Sequence, residues 1–138
     1  MAHLILVRGI PGSGKSTLAH MLANSYETAH VLEADMYFMK DGVYQFDRDK
    51  LRQAHQWCQE MTKSHLQNDS VAIVSNTFTT SKELKPYFEL AKRFDITPSV
   101  FLCQNDWGSI HNVPEETLAA MKARFQYDIS HLFKDLND

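Results

Sequence analysis

At 138 residues, with 43% hydrophobic and 22% charged side chains, the chain has the composition of one soluble globular domain, residues 1–138, large enough to bury a core. A net charge of −3 excludes the broad positive field that grips long nucleic acids non-specifically, and no apolar run reaches membrane length. Cys58 and Cys103 stand in no metal or disulfide spacing; with no leader pattern before the first apolar run, the expectation is reduced, packed thiols in a cytoplasmic protein.

In chain order, Leu4-Ile-Leu-Val7 is a short continuous apolar run, the pattern of a central strand buried on both faces, and Arg8 ends it. Gly9-Ile-Pro11-Gly12-Ser13-Gly14-Lys15-Ser16-Thr17 follows and fits G-x-x-x-x-G-K-[ST], the phosphate-binding loop. The physics of the fit is local. Glycines let the backbone turn where a Cβ would clash, so that successive N–H groups make a nest for anionic oxygens. The helix that starts near Lys15 adds its positive end. Lys15 brings a full charge to the β- and γ-phosphates of ATP or another nucleoside triphosphate, and the Ser16 hydroxyl is placed to hold Mg²⁺. The competing reading is a glycine-rich turn before a surface lysine; the position between strand and helix favours the nucleotide.

Leu18, Ala19, Met21, Leu22 and Ala23 suit a helix to about Asn24, and His30 to Glu33 reads as a second strand ending at Ala34-Asp35-Met36. Residues 36–46, with Gly42 and several aromatics, read as a loop over the site. Asp47 is a good N-cap for a long helix to about Gln67. Val71 to Ser75 is a third strand with Asn76-Thr77 at its end, Ser81 caps a helix to about Phe94, and Thr97 to Leu102 is a fourth strand. A polar loop over 103–113 leads to Pro114, which starts the last helices, with Leu118, Met121, Phe125, Ile129, Leu132 and Phe133 as their apolar face.

Strand and helix in alternation predict an α/β, three-layer P-loop NTPase fold: a parallel sheet of four to five strands with helices on both faces. Ligands of such sheets bind at the C-terminal edge of the strands, where the phosphate loop, Asp35 and Asn76-Thr77 all fall. From the residues alone, Asp35 reads equally as a solvated strand-end acid and as a carboxylate that activates a hydroxyl. Asn76 or Thr77 holds Mg²⁺ through water, contacts the γ-phosphate, or is an ordinary turn residue. Glu33 is either a support for the site or a plain surface acid. His55 and Trp57 read as packing. Tyr37, Phe38, Tyr44 and Phe46 either stack a base of the acceptor or cover the core. The seven histidines show no metal-ligand spacing, so Mg²⁺ arriving with the nucleotide is the one ion expected.

The loop, with Glu33-Ala-Asp35 after the second strand, resembles the polynucleotide kinase group of P-loop kinases, an AAA-type ATP-binding domain, in a short form with a reduced lid. Phe46-Asp47, Ala54-His-Gln-Trp57, Ser75-Asn-Thr77, Lys85-Pro-Tyr87, Ile110-His111 and Met121-Lys-Ala-Arg124 are similar to the kinase-like domain of eukaryotic ubiquitin-ligase-binding proteins. The resemblance implies transfer of the ATP γ-phosphoryl group to a hydroxyl, typically a 5′-hydroxyl of DNA or RNA, with Asp35 taking or orienting the hydroxyl proton. A nucleoside or another small molecule is the other acceptor class. The sequence departs from the family twice. No acid stands at Ser75 or Asn76, and the segment from Cys103 to Val113, where family members carry an arginine-rich lid, has no Lys or Arg. Arg124, where similar kinases place a basic residue near the nucleotide, is the nearest substitute; a protein partner that supplies a cation is the other. The alternative class is a nucleotide-binding interaction module.

Overall fold

Leu4 and Leu6 face one side of a sheet and Ile5 and Val7 the other, as strand geometry requires, and all four are buried. They belong to β1 (His3–Arg8) of a computed structural model that describes residues 1–106 and 113–137. After β1 come α1 (Lys15–Ala23), β2 (Ala29–Leu32), a 3₁₀ turn (Ala34–Phe38) and the short strands β3 (Met39–Lys40) and β4 (Val43–Tyr44). Then follow α2 (Leu51–Gln67), β5 (Val71–Asn76), α3 (Ser81–Arg93), β6 (Ser99–Leu102), α4 (Glu115–Arg124) and α5 (Ser130–Asp135).

β1 lies between β5 and β6, with β2 beyond β5, and every pair in this four-stranded sheet is parallel. Parallel neighbours need crossovers, and helices make them on both faces. Ile5, Val7, Val71 and Ile73 pack on Ala19 of α1. Leu4, Leu6, Ala72 and Val74 share the opposite core with Ala54 and Cys58 of α2, Leu84 and Phe88 of α3, and Leu132 of α5. The fold is thus the expected three-layer α/β P-loop NTPase fold. Cutting Leu6 to Ala would open its centre at a cost of about 2–5 kcal/mol. The register pairs Arg8 with Asn76, so β1 and β5 end level, and Leu32 with Val74, so β2 ends just short of them on the same edge. No described helix is long and apolar enough to cross a membrane.

Some local expectations change. The stretch read as a loop over 36–46 is a 3₁₀ turn followed by the β3–β4 hairpin. Its turn is Asp41-Gly42 at φ 52° and 78°, the two left-handed residues that a tight hairpin demands. Asp47 caps a 3₁₀ turn over Arg48–Lys50 through Asp49 N–H, and α2 starts after it. The N-cap of α3 is Thr80 and not Ser81, because Glu83 reaches back to the Thr80 N–H at 2.9 Å. The last apolar stripe is no single helix face. α4 buries no residue, the chain leaves helix at Phe125, and Ile129 and Leu132 carry the burial. In the segment from Cys103 to Val113, and the Ile110-His111 pair within it, residues 107–112 lie outside the described residues.

Candidate functional site

Gly9 leaves β1 at a point where a Cβ would collide with the Ser13 hydroxyl and stand 2.6 Å from the Cys103 carbonyl. Only glycine lets the loop pass there. The Gly9 N–H donates to the Thr77 carbonyl at 3.2 Å, which joins the loop to the end of β5. Gly14, at φ 96°, turns the chain into α1. Ser13 is fully buried, and its hydroxyl has no hydrogen-bond partner among the described residues. Pro11, Gly12 and Lys15 are half-buried, while Ser16 and Thr17 are exposed. Such a cradle, lined by small residues at a helix N-terminus, fits a chain of phosphates.

Lys15 donates to the Ile10 carbonyl at 3.2 Å, within the loop. Burial lowers its pKa from the ordinary lysine value; Glu33, Cys103 and Asp35 pull the other way. A half-buried cation inside the loop is a strong partner for anionic oxygens. The Ser16 hydroxyl donates to Glu33 Oε1 at 2.6 Å. Glu33 is therefore in contact with the loop, and the spacing Glu33-x-Asp35 was the signal that could have shown this. Two hard oxygen donors side by side suit Mg²⁺, which keeps most of its waters and needs few protein ligands. Among the described residues there is no cluster of three or more metal-ligating side chains.

Asp35 is exposed at the start of the 3₁₀ turn, and the Tyr44 hydroxyl donates to its Oδ1 at 3.3 Å. Burial, then the charge of Asp35, raises the Tyr44 pKa above the ordinary tyrosine value and keeps it a donor. Tyr37 turns the other way, its hydroxyl directed to Gln53 Oε1 at 3.4 Å and its ring 6.1 Å from Trp57. Phe38 is buried at the centre of the aromatic group, 5.1 Å from Phe46, and Phe46 is 53% exposed. A groove of about 300 Å³ beside the hairpin is lined by Tyr37, Lys40, Gln45, Phe46 and Lys50, among others.

Asn76, read as a metal residue, has its oxygen engaged elsewhere. Asn76 Oδ1 accepts the Ala34 N–H at 2.9 Å, its Nδ2 lies 3.8 Å from Cys58 Sγ, and the residue is 8% exposed. It locks the end of β5 to the turn that carries Asp35. Thr77 is half-buried, with its carbonyl on Gly9. Arg124, exposed at the end of α4, donates through Nε to Thr79 Oγ1 at 3.1 Å, on the turn after β5. Arg8, which sequence reasoning did not place in the site, is buried next to Gly9 and bonded to Phe78 and Gln126.

This arrangement can be set beside known proteins. NEDD4-binding protein 2 of Homo sapiens is 33% identical over 138 residues, which span 92% of this chain and 8% of that protein. The structure of a Pnkp1/Rnl/Hen1 complex matches with a TM-score of 0.61 at 18% identity, covering 93% of this chain and 42% of that one. The APS kinase CysC of Mycobacterium tuberculosis matches with a TM-score of 0.58 at 12% identity, over 89% of this chain and 96% of that one. At such identities the two structures speak for the fold alone. The family model described as AAA domain matches residues 4–127. That match begins in the strand feeding the phosphate loop and ends in the segment bonded to Arg8, so it takes in the whole site, and the chain belongs to the AAA domain family.

Proposed function

We propose that the chain is a kinase of the polynucleotide kinase-like group, moving the γ-phosphoryl group of a nucleoside triphosphate, ATP by preference, to a hydroxyl. The observation that carries this reading is the meeting of Lys15, Ser16, Glu33 and Asp35 at one sheet edge. A pure phosphate-binding site needs the loop; it does not need two carboxylates beside it.

In this reading Gly9 to Thr17 hold the phosphates and Lys15 neutralises the β- and γ-oxygens. Ser16 and Glu33 would hold Mg²⁺, which would supply positive charge against the phosphate oxygens. Glu33 thereby takes the part given to Asn76 on sequence grounds. Asp35, steadied by Tyr44, accepts the acceptor's hydroxyl proton. The acceptor oxygen forms its bond to the γ-phosphorus while the bond to the β,γ-bridging oxygen breaks, and the nucleoside diphosphate leaves. Arg124 is the cation nearest to hand for the transferring group. The acceptor is a 5′-hydroxyl of a nucleic acid end or of a nucleoside, entering past the hairpin, where Phe46 and the Lys40–Lys50 groove suit a base and its phosphate. Tyr37 lines that groove, Tyr44 meets Asp35 from the hairpin, and Thr77 meets the phosphate loop at Gly9.

A second reading has its own observation. From Cys103 to Val113 the sequence has no Lys or Arg to offer the transferring group. This favours a nucleotide-binding interaction module, or an enzyme that waits for a partner's cation. Incubation with γ-labelled ATP and a panel of 5′-hydroxyl oligonucleotides, nucleosides and small alcohols separates the two. Label on an acceptor supports the kinase; tight ATP binding with no transfer to any acceptor supports the module.

A further inference from the structure

We propose that Arg8 is a positioning residue for phosphoryl transfer: it fixes the segment after α4, and with it Arg124, against the turn that borders the phosphate loop. The inference rests on the reading of Arg124 as the cation for the transferring group.

Arg8 closes β1 and is 1% exposed. Its Nε and Nη2 donate to the Phe78 carbonyl at 3.0 and 2.7 Å, and Nη2 also donates to the Gln126 carbonyl at 2.6 Å. Its guanidinium carbon stands 4.5 Å from the centroid of the Phe125 ring. Burying a guanidinium is costly unless its donors are matched, and an apolar side chain of similar volume makes a cheaper core staple. Here the charge joins three segments remote in sequence. Phe78 sits at φ 45°, a left-handed conformation that an aromatic residue keeps only when its surroundings enforce it.

The clamp continues on both sides. The Gln126 N–H donates to the Thr79 carbonyl at 2.7 Å, and Gln126 Oε1 accepts the Ser81 N–H at 2.7 Å. Arg124 Nε donates to Thr79 Oγ1, whose own hydrogen goes to Glu83. Two residues before Thr79, the Thr77 carbonyl takes the Gly9 N–H. One connected set of bonds therefore runs from the first residue of the phosphate loop to Arg124. A long arginine on an exposed helix end gains a defined direction only from such a frame.

Arg8→Lys keeps the charge but lacks the planar fork that serves two carbonyls at once. We expect kcat for transfer to fall by about ten- to a hundredfold with KM for ATP changed less than about twofold, the mark of a misplaced group and not of lost nucleotide binding. In an Arg124→Ala background the same substitution should change kcat by less than about twofold, because there is no cation left to place. Hydrogen exchange at the Gln126 amide should speed up by about tenfold or more, a readout independent of activity. Phe125→Leu removes the ring under the guanidinium while leaving both carbonyls; it should act in the same direction and serves if Arg8→Lys does not fold. Equal losses of kcat in the two backgrounds, a raised KM with unchanged kcat, or unchanged Gln126 exchange in an active enzyme overturns the role of Arg8. A wild-type protein that binds ATP and transfers to no acceptor overturns the kinase reading, and this role with it, even where Gln126 exchange responds.

Discussion

The Ser16 hydroxyl donates to Glu33 Oε1 across 2.6 Å, tying the first turn of α1 to the end of β2. A carboxylate at that distance orients the hydroxyl and puts negative charge where the proposed Mg²⁺ would sit. Glu33→Gln keeps the shape and removes the charge. The Mg²⁺ concentration for half-maximal transfer should rise about tenfold or more, in the range seen when a partner of a metal ligand is lost. A Mg²⁺ titration of activity at saturating ATP checks this; coincident curves would return Glu33 to the status of a surface acid.

Lys15 and Asp35 should separate binding from chemistry. Lys15→Ala removes the one side-chain cation of the loop, and ATP affinity should fall about tenfold or more, the worth of a charged hydrogen bond. Asp35→Asn removes a base and keeps a similar shape. Transfer should fall about a hundredfold or more while ATP affinity stays within a few fold. Calorimetric titration and initial rates on the same preparations read both, and a variant at Asp35 with wild-type transfer ends its assignment.

Asn76 predicts a loss of stability. Asn76→Ala leaves the N–H of Ala34, a residue 5% exposed, without its acceptor. Unfolding free energy should drop by about 1–3 kcal/mol, the cost of an orphaned buried donor. Denaturant titration measures it. An unchanged midpoint would mean that the turn carrying Asp35 does not need this lock.

Acid should weaken the fold through a histidine pair on β2 and α2. The rings of His30 and His65 stack at 3.8 Å and 11°. Burial, then the neighbouring His30, holds the His65 pKa below its ordinary value. The unfolded chain thus binds more protons than the folded chain as pH falls below about 6.5. The stability from neutral His65 is complete above that pH and is lost as pH falls toward the folded-state value. Thermal melts from pH 7.5 down to 5.5 should show Tm falling, and falling less in His65→Gln. Parallel slopes for the two proteins would show that the pair is not the cause.

Turnover should be low. Arginine fingers are worth about 10³ to 10⁵ in rate, and the stretch from Cys103 to Val113 has no cation to offer. With its best acceptor and saturating ATP, the isolated protein should turn over well below the usual range of roughly 1–100 s⁻¹. Steady-state kinetics above about 10 s⁻¹, unchanged in Arg124→Ala, would show that no such cation is missing.

The sheet and the loop were legible from the residues, because both are written in local rules. The buried run from Leu4 to Val7, the glycine spacing and Lys15-Ser16 need no distant partner to be read. Strand–helix alternation then fixed the edge to which Asp35 and Asn76 must come. The Asp41-Gly42 hairpin was equally local and open to the same kind of reading. Which side chain meets which along that edge follows from the folded arrangement. Asn76 and Glu33 both stand at strand ends, and nothing in the sequence says that one faces Ala34 and the other Ser16. Register and strand order decide it, by setting β5 between β1 and β2. Arg8 reads as the charged end of a strand. Only the packing of Phe78, Phe125 and Gln126 around it, some 70 and 118 positions away along the chain, makes it the hub of a clamp. Hydrogen bonds between remote segments depend on how the chain closes on itself, and local pattern does not encode that closure.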